Sequence, residues 1–394
     1  MSSVVKIPAM SGIPKTMRAV VYRGVNDLRL ETVPVPRIGP NELLVKVAVC
    51  GVCPTDIKKI QCGALAPPRI FGHETAGTIV KIGGGASARL GGAFGEAWVP
   101  ASRFKIGDRI ALHHHVPCLD CHFCRHRAFA QCPQYKRTGI TAGFEPAGGG
   151  YAEYVRVMNF VLPGVVKIPA RNSFEEGAML EPVNTVLKAV KRLSILRGDV
   201  VLVAGQGPIG LMFTQLLQLQ GANVIATDLL ESRLRLAKKF GARRVCHATQ
   251  LSTLNLQPSL DAAVIAVPSD AVVQQALQLV RGGGQVLLFA HTKRTEVRSQ
   301  KTEDRSPTSD LRPPTSGLCP LDLASICLDE KDLLGSYSSD FTLQKEVARL
   351  VFSRRLDVRP LITHRFPLTQ TAAAVQLASH PTPDSLKILV TQIR

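Results

Sequence analysis

Between Met17 and about Val157 the apolar residues come in short runs, MRAVVY, ELLVKVAVCGV, AGTIVKIG and YAEYVRV, alternating or clustering β-branched residues between Gly and Pro punctuation. That pattern predicts a β-rich domain. From Val200 the period changes. A buried-strand run VVLVAG precedes a long helical stretch PIGLMFTQLLQLQG, followed by NVIATD, the helical ESRLRLAKKFG, and the strand-like DAAVIAV and GGGQVLLFA. Strands alternating with helices predict an α/β doubly wound parallel sheet with right-handed crossovers. From about Phe341 the patterning is mixed, with a helix over QTAAAVQLASH and a last strand over LKILVTQ. These predict a return to the first domain, which becomes discontinuous in sequence. The expected division is 1–180, 181–340 and a returning segment 341–394.

Two stretches read as insertions. Residues 83–102 are rich in Gly and Ala, and residues 291–317 in Ser, Thr, Pro and mixed charge. Loops of this length bury little and read as surface segments.

Composition narrows the class. With 394 residues, 45% hydrophobic and 20% charged, the chain can bury a sizeable core, which excludes disorder and collagen as descriptions of the whole. The formal charge of +18 would draw a polyanion or an anionic cofactor, but no basic block is interleaved with aromatics, so it reads as solvated surface and no nucleic-acid partner is expected. No stretch reaches 18 apolar residues and the start, MSSVVKIPAM, has no apolar core of signal-peptide length. No membrane association and a cytoplasmic location are the expectation.

After the strand VVLVA comes Gly205-Gln206-Gly207-Pro208-Ile209-Gly210, a GxGxxG opening a helix, and Asp228 ends the next strand eighteen residues beyond Gly210. In that context it is a dinucleotide fingerprint. Gly205 permits the tight turn, Gly207 lets backbone approach a pyrophosphate, and Gly210 lets helix pack on strand, while free N–H groups of the helix start meet the phosphate charge. Asp228 can accept from both ribose hydroxyls and would repel a 2′-phosphate, which favours NAD over NADP; Arg233, nearby, tempers that preference.

Four of the ten cysteines, Cys118, Cys121, Cys124 and Cys132, crowd into fifteen residues with the spacing CxxCxxCx7C. Four soft ligands on one irregular loop suit a closed tetrahedral zinc that folds a lobe, about 113–135, rather than doing chemistry. His113, His114, His115, His122 and His126 flank it and read as loop surface, since four thiolates fill the shell. A second, dispersed set comprises Cys53, Thr55 and Asp56 in GVCPTD, His73 and Glu74 in GHE, and Glu181 in LEP. One thiol, one imidazole and one or two carboxylates are what an open catalytic zinc uses, but such residues are also common in any chain of this size.

Taken together in order and spacing, GVCPTD, GHE, the four-cysteine lobe, LEPVNT and GQGPIG resemble the zinc-dependent medium-chain alcohol dehydrogenase family, and the glutamate followed by proline resembles its polyol (sorbitol) and threonine dehydrogenase branch. The resemblance runs from about Met17 to the C-terminus. It implies a GroES-like catalytic domain with a zinc lobe beside a Rossmann domain, two zinc ions per chain, NAD as cofactor, and a homodimer or homotetramer acting on a small-molecule alcohol or polyol. Carried over residue by residue, Cys53, His73 and Glu181 resemble the catalytic zinc ligands. Glu74 resembles a carboxylate that coordinates the metal in some members only. Asp56 resembles the partner that orients the ligand imidazole, Thr55 the hydroxyl that takes the substrate proton, and Thr185 a contact beside the nicotinamide.

The implied reaction converts a secondary alcohol, polyol or amino-alcohol to a ketone. Zinc lowers the pKa of the alcohol oxygen, an alkoxide forms, and hydride passes to nicotinamide. Lys58 stands where many relatives carry a relay histidine, and a lysine of ordinary pKa is already protonated at pH 7. For the substrate pocket, position suggests residues around Ile60, Trp98, Phe144 and Tyr337. Two other readings compete: a zinc-free reductase of activated double bonds, which would lack the catalytic ligands, and a zinc-ribbon nucleic-acid-binding protein, which would not need the GxGxxG and Asp228.

Overall fold

The computed structural model describes residues 12–63, 65–84, 99–113, 116–133, 148–254, 259–290 and 321–392. Most of the first predicted insertion (85–98) and all of the second lie outside the described residues, as do Trp98, His114, His115 and Phe144. The chain divides into two compact units, residues 1–185 with 338–394, and residues 186–337.

The first unit is built from β1 (Thr16–Gly24), β2 (Asp27–Pro34), β3 (Leu43–Gly51), β4 (Arg69–Ile70), β5 (Glu74–Ile82), β6 (Arg109–Ala111), β7 (Tyr154–Val157) and β8 (Val166–Lys167). Its helices include α1 (Pro54–Cys62) and the start of α2 (Leu180–Val190). In β3, LLVKVAVCG, only Lys46 is exposed, as expected for a strand covered on both faces. Strands β2, β1 and β4 form a small antiparallel sheet. The larger sheet centres on β3, paired antiparallel with β5 and β7. One apolar cluster packs Val21, Tyr22, Ile60 and Phe71, and a second packs Leu43, Val45, Ile79 and Ile110. Ile60 therefore belongs to the core rather than to a substrate wall, because its face of α1 turns inward.

The second unit is a six-stranded sheet in the order β11–β10–β9–β12–β13–β14, with every ladder parallel. Its strands are β9 (Val200–Ala204), β10 (Asn223–Asp228), β11 (Arg244–His247), β12 (Leu260–Ile265), β13 (Val280–Leu288) and β14 (Asp332–Gly335). This is the doubly wound order, reversing direction between β9 and β12, where ligands gather at strand C-termini. Helices α3 (Pro208–Leu219), α4 (Glu231–Lys239) and α5 (Asp270–Leu279) connect the strands. α4 carries Glu231 in its first turn and Lys238 and Lys239 in its last, matching the helix dipole. Leu202, Ile225, Ala263 and Val286 lie in the core of this sheet.

The returning segment supplies β15 (Ile362–Pro367), helix α6 (Thr371–Ser379) and β16 (Lys387–Thr391). β16 pairs antiparallel with β3, placing Val390 opposite Cys50 and Leu389 opposite Gly51. The last strand is thus an integral part of the first unit's main sheet.

His113 departs from the surface reading, because Gly164 packs directly against it and leaves it fully buried. Its Nε2 lies 3.5 Å from Ser339 Oγ, and burial, outweighing Asp340 and Gln344, pulls the imidazole down to about 4. As pH falls from the unfolded value near 6.5 toward 4, the unfolded chain takes up a proton that the folded chain refuses. Stability therefore drops by about 1.4 kcal/mol per pH unit, or ~3 kcal/mol across the window. Urea titrations should show this slope in the wild type and a flatter one in His113→Gln; equal slopes would place the acid sensitivity elsewhere.

Candidate active site

In the first unit, α1 begins at Cys53, whose Sγ accepts the N–H of Thr55 at 3.4 Å, with Pro54 at the first helical position, where its missing N–H costs nothing. The thiol therefore sits at the junction of β3 and α1. His73 lies one residue before β5, and Glu74 is the first residue of that strand. Ligand atoms of Cys53, His73 and Glu74 all lie within 4.8 Å of one another. His73 and Glu74 are buried and Cys53 is half-buried.

Asp56, fully buried on the first turn of α1, meets His73 Nδ1 at 3.1 Å, and the Cys53 side chain also hydrogen-bonds the imidazole, so the ring is fixed from both sides. Burial alone would lower the imidazole pKa, but the charges of Asp56 and Cys53 outweigh it and hold the pKa well above the ordinary value. A metal would take that proton's place.

Glu181, on the first turn of α2, stands outside the trio although it is buried. Burial, reinforced by Glu74 and Asp56 and opposed by His73 and Lys387, pushes its carboxyl up to about 7. The structure brings Glu74, rather than Glu181, to ligand distance of Cys53 and His73. Thr55 is half-buried, Lys58 is exposed, and Thr185 Oγ1 donates to Pro182 O at 2.8 Å on its own helix. Sequence reasoning missed Lys387, a buried lysine from β16 whose Nζ donates to Glu74 Oε1 at 2.6 Å.

Cys118, Cys121, Cys124 and Cys132 also converge, with all four sulfurs within 4.8 Å of one another. Four cysteine thiols fit a closed tetrahedral zinc shell. Burial raises the Cys118 thiol, but N–H donors from Asp120 and Cys121 and the thiols of Cys132 and Cys121 bring it down to about 7, close to the thiolate a metal requires. His122 and His126 meet at the exposed edge of this lobe, with ring centroids 4.5 Å apart and planes inclined at 56°.

In the second unit, Gly205 follows β9 with φ +91, a left-handed conformation that favours glycine. A Cβ on Gly210 would stand 1.7 Å from Gly205 O, so helix and turn approach too closely for any side chain. Gly207 caps α3, and Pro208, Ile209 and Gly210 form its first turn. Gln206 turns inward, donating from Nε2 to Val203 O at 2.9 Å and accepting from Thr214 Oγ1 at 2.9 Å, which leaves the turn's outer face to its backbone. Asp228 Oδ2 accepts the Gln206 N–H at 2.6 Å and Oδ1 the Leu230 N–H at 3.0 Å, with Arg233 Nη1 3.8 Å away. The carboxylate is thus held at the C-terminal end of β10, beside the glycine turn.

Residues 39–170 match the alcohol dehydrogenase GroES-like domain, and residues 208–351 match the zinc-binding dehydrogenase domain. The sorbitol dehydrogenase of Bacillus subtilis is 27% identical over 391 residues, covering 96% of this chain and 98% of its own. That of Bombyx mori is 29% identical over 389 residues, covering 94% of this chain and 97% of its own. A Sinorhizobium meliloti protein solved with NADP bound aligns with a TM-score of 0.78 at 25% identity, over 96% of this chain and 100% of that one. Among the described residues, no helix is long and apolar enough to cross a membrane.

Proposed function

The chain belongs to the zinc-dependent medium-chain alcohol and polyol dehydrogenases, and from that premise we propose that it oxidises a secondary alcohol of the polyol type to a ketone, passing hydride to NAD and a proton to solvent. The observation that carries this reading is the trio of half-buried Cys53 with buried His73 and Glu74, and Asp56 behind the imidazole. Thiol, imidazole and carboxylate are the donor set of a zinc site with an open position. When bound there, zinc supplies a Lewis acid that makes the alcohol hydroxyl acidic near neutral pH.

The chain's own residues do the rest. Cys53, His73 and Glu74 hold the metal, and Glu181 is the additional carboxylate beside it. Asp56 keeps His73 in the tautomer whose Nε2 is a ligand. Thr55, two residues from Cys53 on the same helix turn, takes the hydroxyl proton. The backbone of Gly205 to Gly210 receives the cofactor pyrophosphate at the start of α3. Asp228 accepts from the ribose hydroxyls, and Arg233 beside it restrains the carboxylate. Thr185 is a candidate contact for the nicotinamide. The four-cysteine lobe holds a second zinc with no part in the chemistry. Sorbitol and related polyols are the first substrates to test, because the sorbitol dehydrogenases match over nearly their whole length.

The test is NAD reduction by the purified protein across polyols, secondary alcohols and threonine, repeated with NADP. Turnover with a polyol and NAD is expected. Asp228→Ser should move the NAD to NADP ratio of kcat/KM toward NADP by about 10- to 100-fold, the worth of one or two charge-assisted hydrogen bonds and a relieved repulsion. An absence of turnover with every alcohol, alongside reduction of an activated double bond by NADH, would sink the proposal.

A further inference from the structure

Gln206 lies between Gly205 and Gly207 in the turn that joins β9 to α3, and it is fully buried. A buried carboxamide is costly unless it is hydrogen-bonded, and an aliphatic residue would fill the same space without that cost. This one is bonded at both polar atoms. Its Nε2 donates to Val203 O on β9 at 2.9 Å, and its Oε1 accepts at 2.9 Å from Oγ1 of Thr214, itself fully buried on α3. The side chain thus ties the strand before the turn to the helix after it. The backbone of the same residue has a different partner: its N–H donates to Asp228 Oδ2 at 2.6 Å, a shorter bond than the 3.0 Å one from Leu230 N–H to Oδ1. Glycines on both sides leave that peptide little restraint of its own, and Gly205 stands at φ +91. Gln206 carries the only side chain between Ala204 and Pro208, so its anchorage is what fixes the direction of the N–H.

We propose that Gln206 is a positioning residue for the cofactor: its anchored carboxamide aims its own backbone N–H at Asp228, which presents the carboxylate to the ribose hydroxyls of NAD and sets the preference for NAD over NADP. This rests on the cofactor reading given above. The side chains of Gln206 and Thr214, buried beneath the turn, act on the dinucleotide through Asp228 rather than by touching it.

The experiment titrates NADH and NADPH into the zinc-loaded protein and follows the fluorescence of the reduced nicotinamide. Gln206→Leu should raise the NADH Kd about tenfold, the worth of one hydrogen bond to a charged group, and leave the NADPH Kd within about twofold of wild type, because NADPH gains nothing from Asp228. Thr214→Val, which deletes one hydroxyl, should weaken NADH by about threefold or more, whereas Thr214→Ser, which keeps it, should retain wild-type affinity. In an Asp228→Ser background, Gln206→Leu should change NADH affinity by less than about twofold. A wild-type NADH Kd in Gln206→Leu overturns the proposal; should that variant fail to fold, a wild-type Kd in Thr214→Val overturns it equally. Equal weakening of NADH and NADPH also overturns it, since the carboxamide would then support the turn as a whole, as does an undiminished effect in the Asp228→Ser background. A wild type that binds neither dinucleotide, or both equally, refutes the cofactor reading itself before any variant is compared.

Discussion

Cys53→Ser should leave one zinc per chain in place of two and lower kcat/KM by about a thousandfold or more, equivalent to roughly 4 kcal/mol of transition-state stabilisation. The reason lies in the donor set. Cys53 supplies the thiol of the Cys53–His73–Glu74 trio, and thiolate is the ligand that most strongly favours zinc over the hard cations that two carboxylates would otherwise attract. A serine hydroxyl of similar shape keeps the cap of α1, which needs only an acceptor for the Thr55 N–H. The substitution should therefore leave the fold in place. Elemental analysis gives the zinc count, and unfolding midpoints separate loss of metal from loss of structure. Retention of two zincs with full turnover would remove Cys53 from the site; a single zinc in wild type and variant alike would confine the metal to the lobe.

What the sequence discloses here depends on how far apart cooperating residues lie in the chain. The lobe is legible because its four ligands fall within fifteen residues at a spacing that few other functions need. The parallel sheet is legible because VVLVA, NVIATD and DAAVIA are buried on both faces and so read as continuous apolar runs. Strand β2, DLRLETVP, buries only Val33 fully and lacks that signal, while β4, β6 and β8 are two or three residues long, too short for periodicity to register.

That Glu74, rather than Glu181, comes to ligand distance of Cys53 and His73 is not readable from the chain either. Adjacent residues of a strand point to opposite faces, so the neighbours His73 and Glu74 are not expected to face one site. They do so because β5 begins only at Glu74, leaving His73 free of the pleat. Lys387 is the clearest omission: it lies 313 residues from Glu74, in a run that reads as an ordinary final strand. His113 was masked for a similar reason, since the residues that bury it, Gly164 and Ser339, come from distant segments.

Cys124→Ser should have the complementary effect on zinc, removing the lobe zinc while the other remains. The lobe has little else to hold it. Its buried cluster consists of Leu119, Phe129 and the two cysteines Cys124 and Cys132, with Phe341 packed against Phe129 at 5.5 Å between ring centroids. Two large apolar side chains contribute about 2–3 kcal/mol each, whereas ordering residues 118–132 costs at least ~1 kcal/mol per residue. Metal coordination has to supply the difference, and structural zinc sites contribute folding free energy directly. Cys124 is the most consequential position because it is fully buried, burial pushes its thiol up, and its sulfur lies 3.5 Å from Cys121 Sγ and 3.9 Å from Cys118 Sγ. Without metal, these packed thiols lose the ion that holds them together. The expected signature is rapid proteolytic cleavage within 118–132 and a thermal midpoint lowered by about 5 °C or more, with residual turnover carried by the intact Cys53 site. An unchanged zinc count and an uncut lobe would show that apolar packing alone folds these fifteen residues. Simultaneous loss of both zincs would instead make the lobe a precondition for the catalytic site.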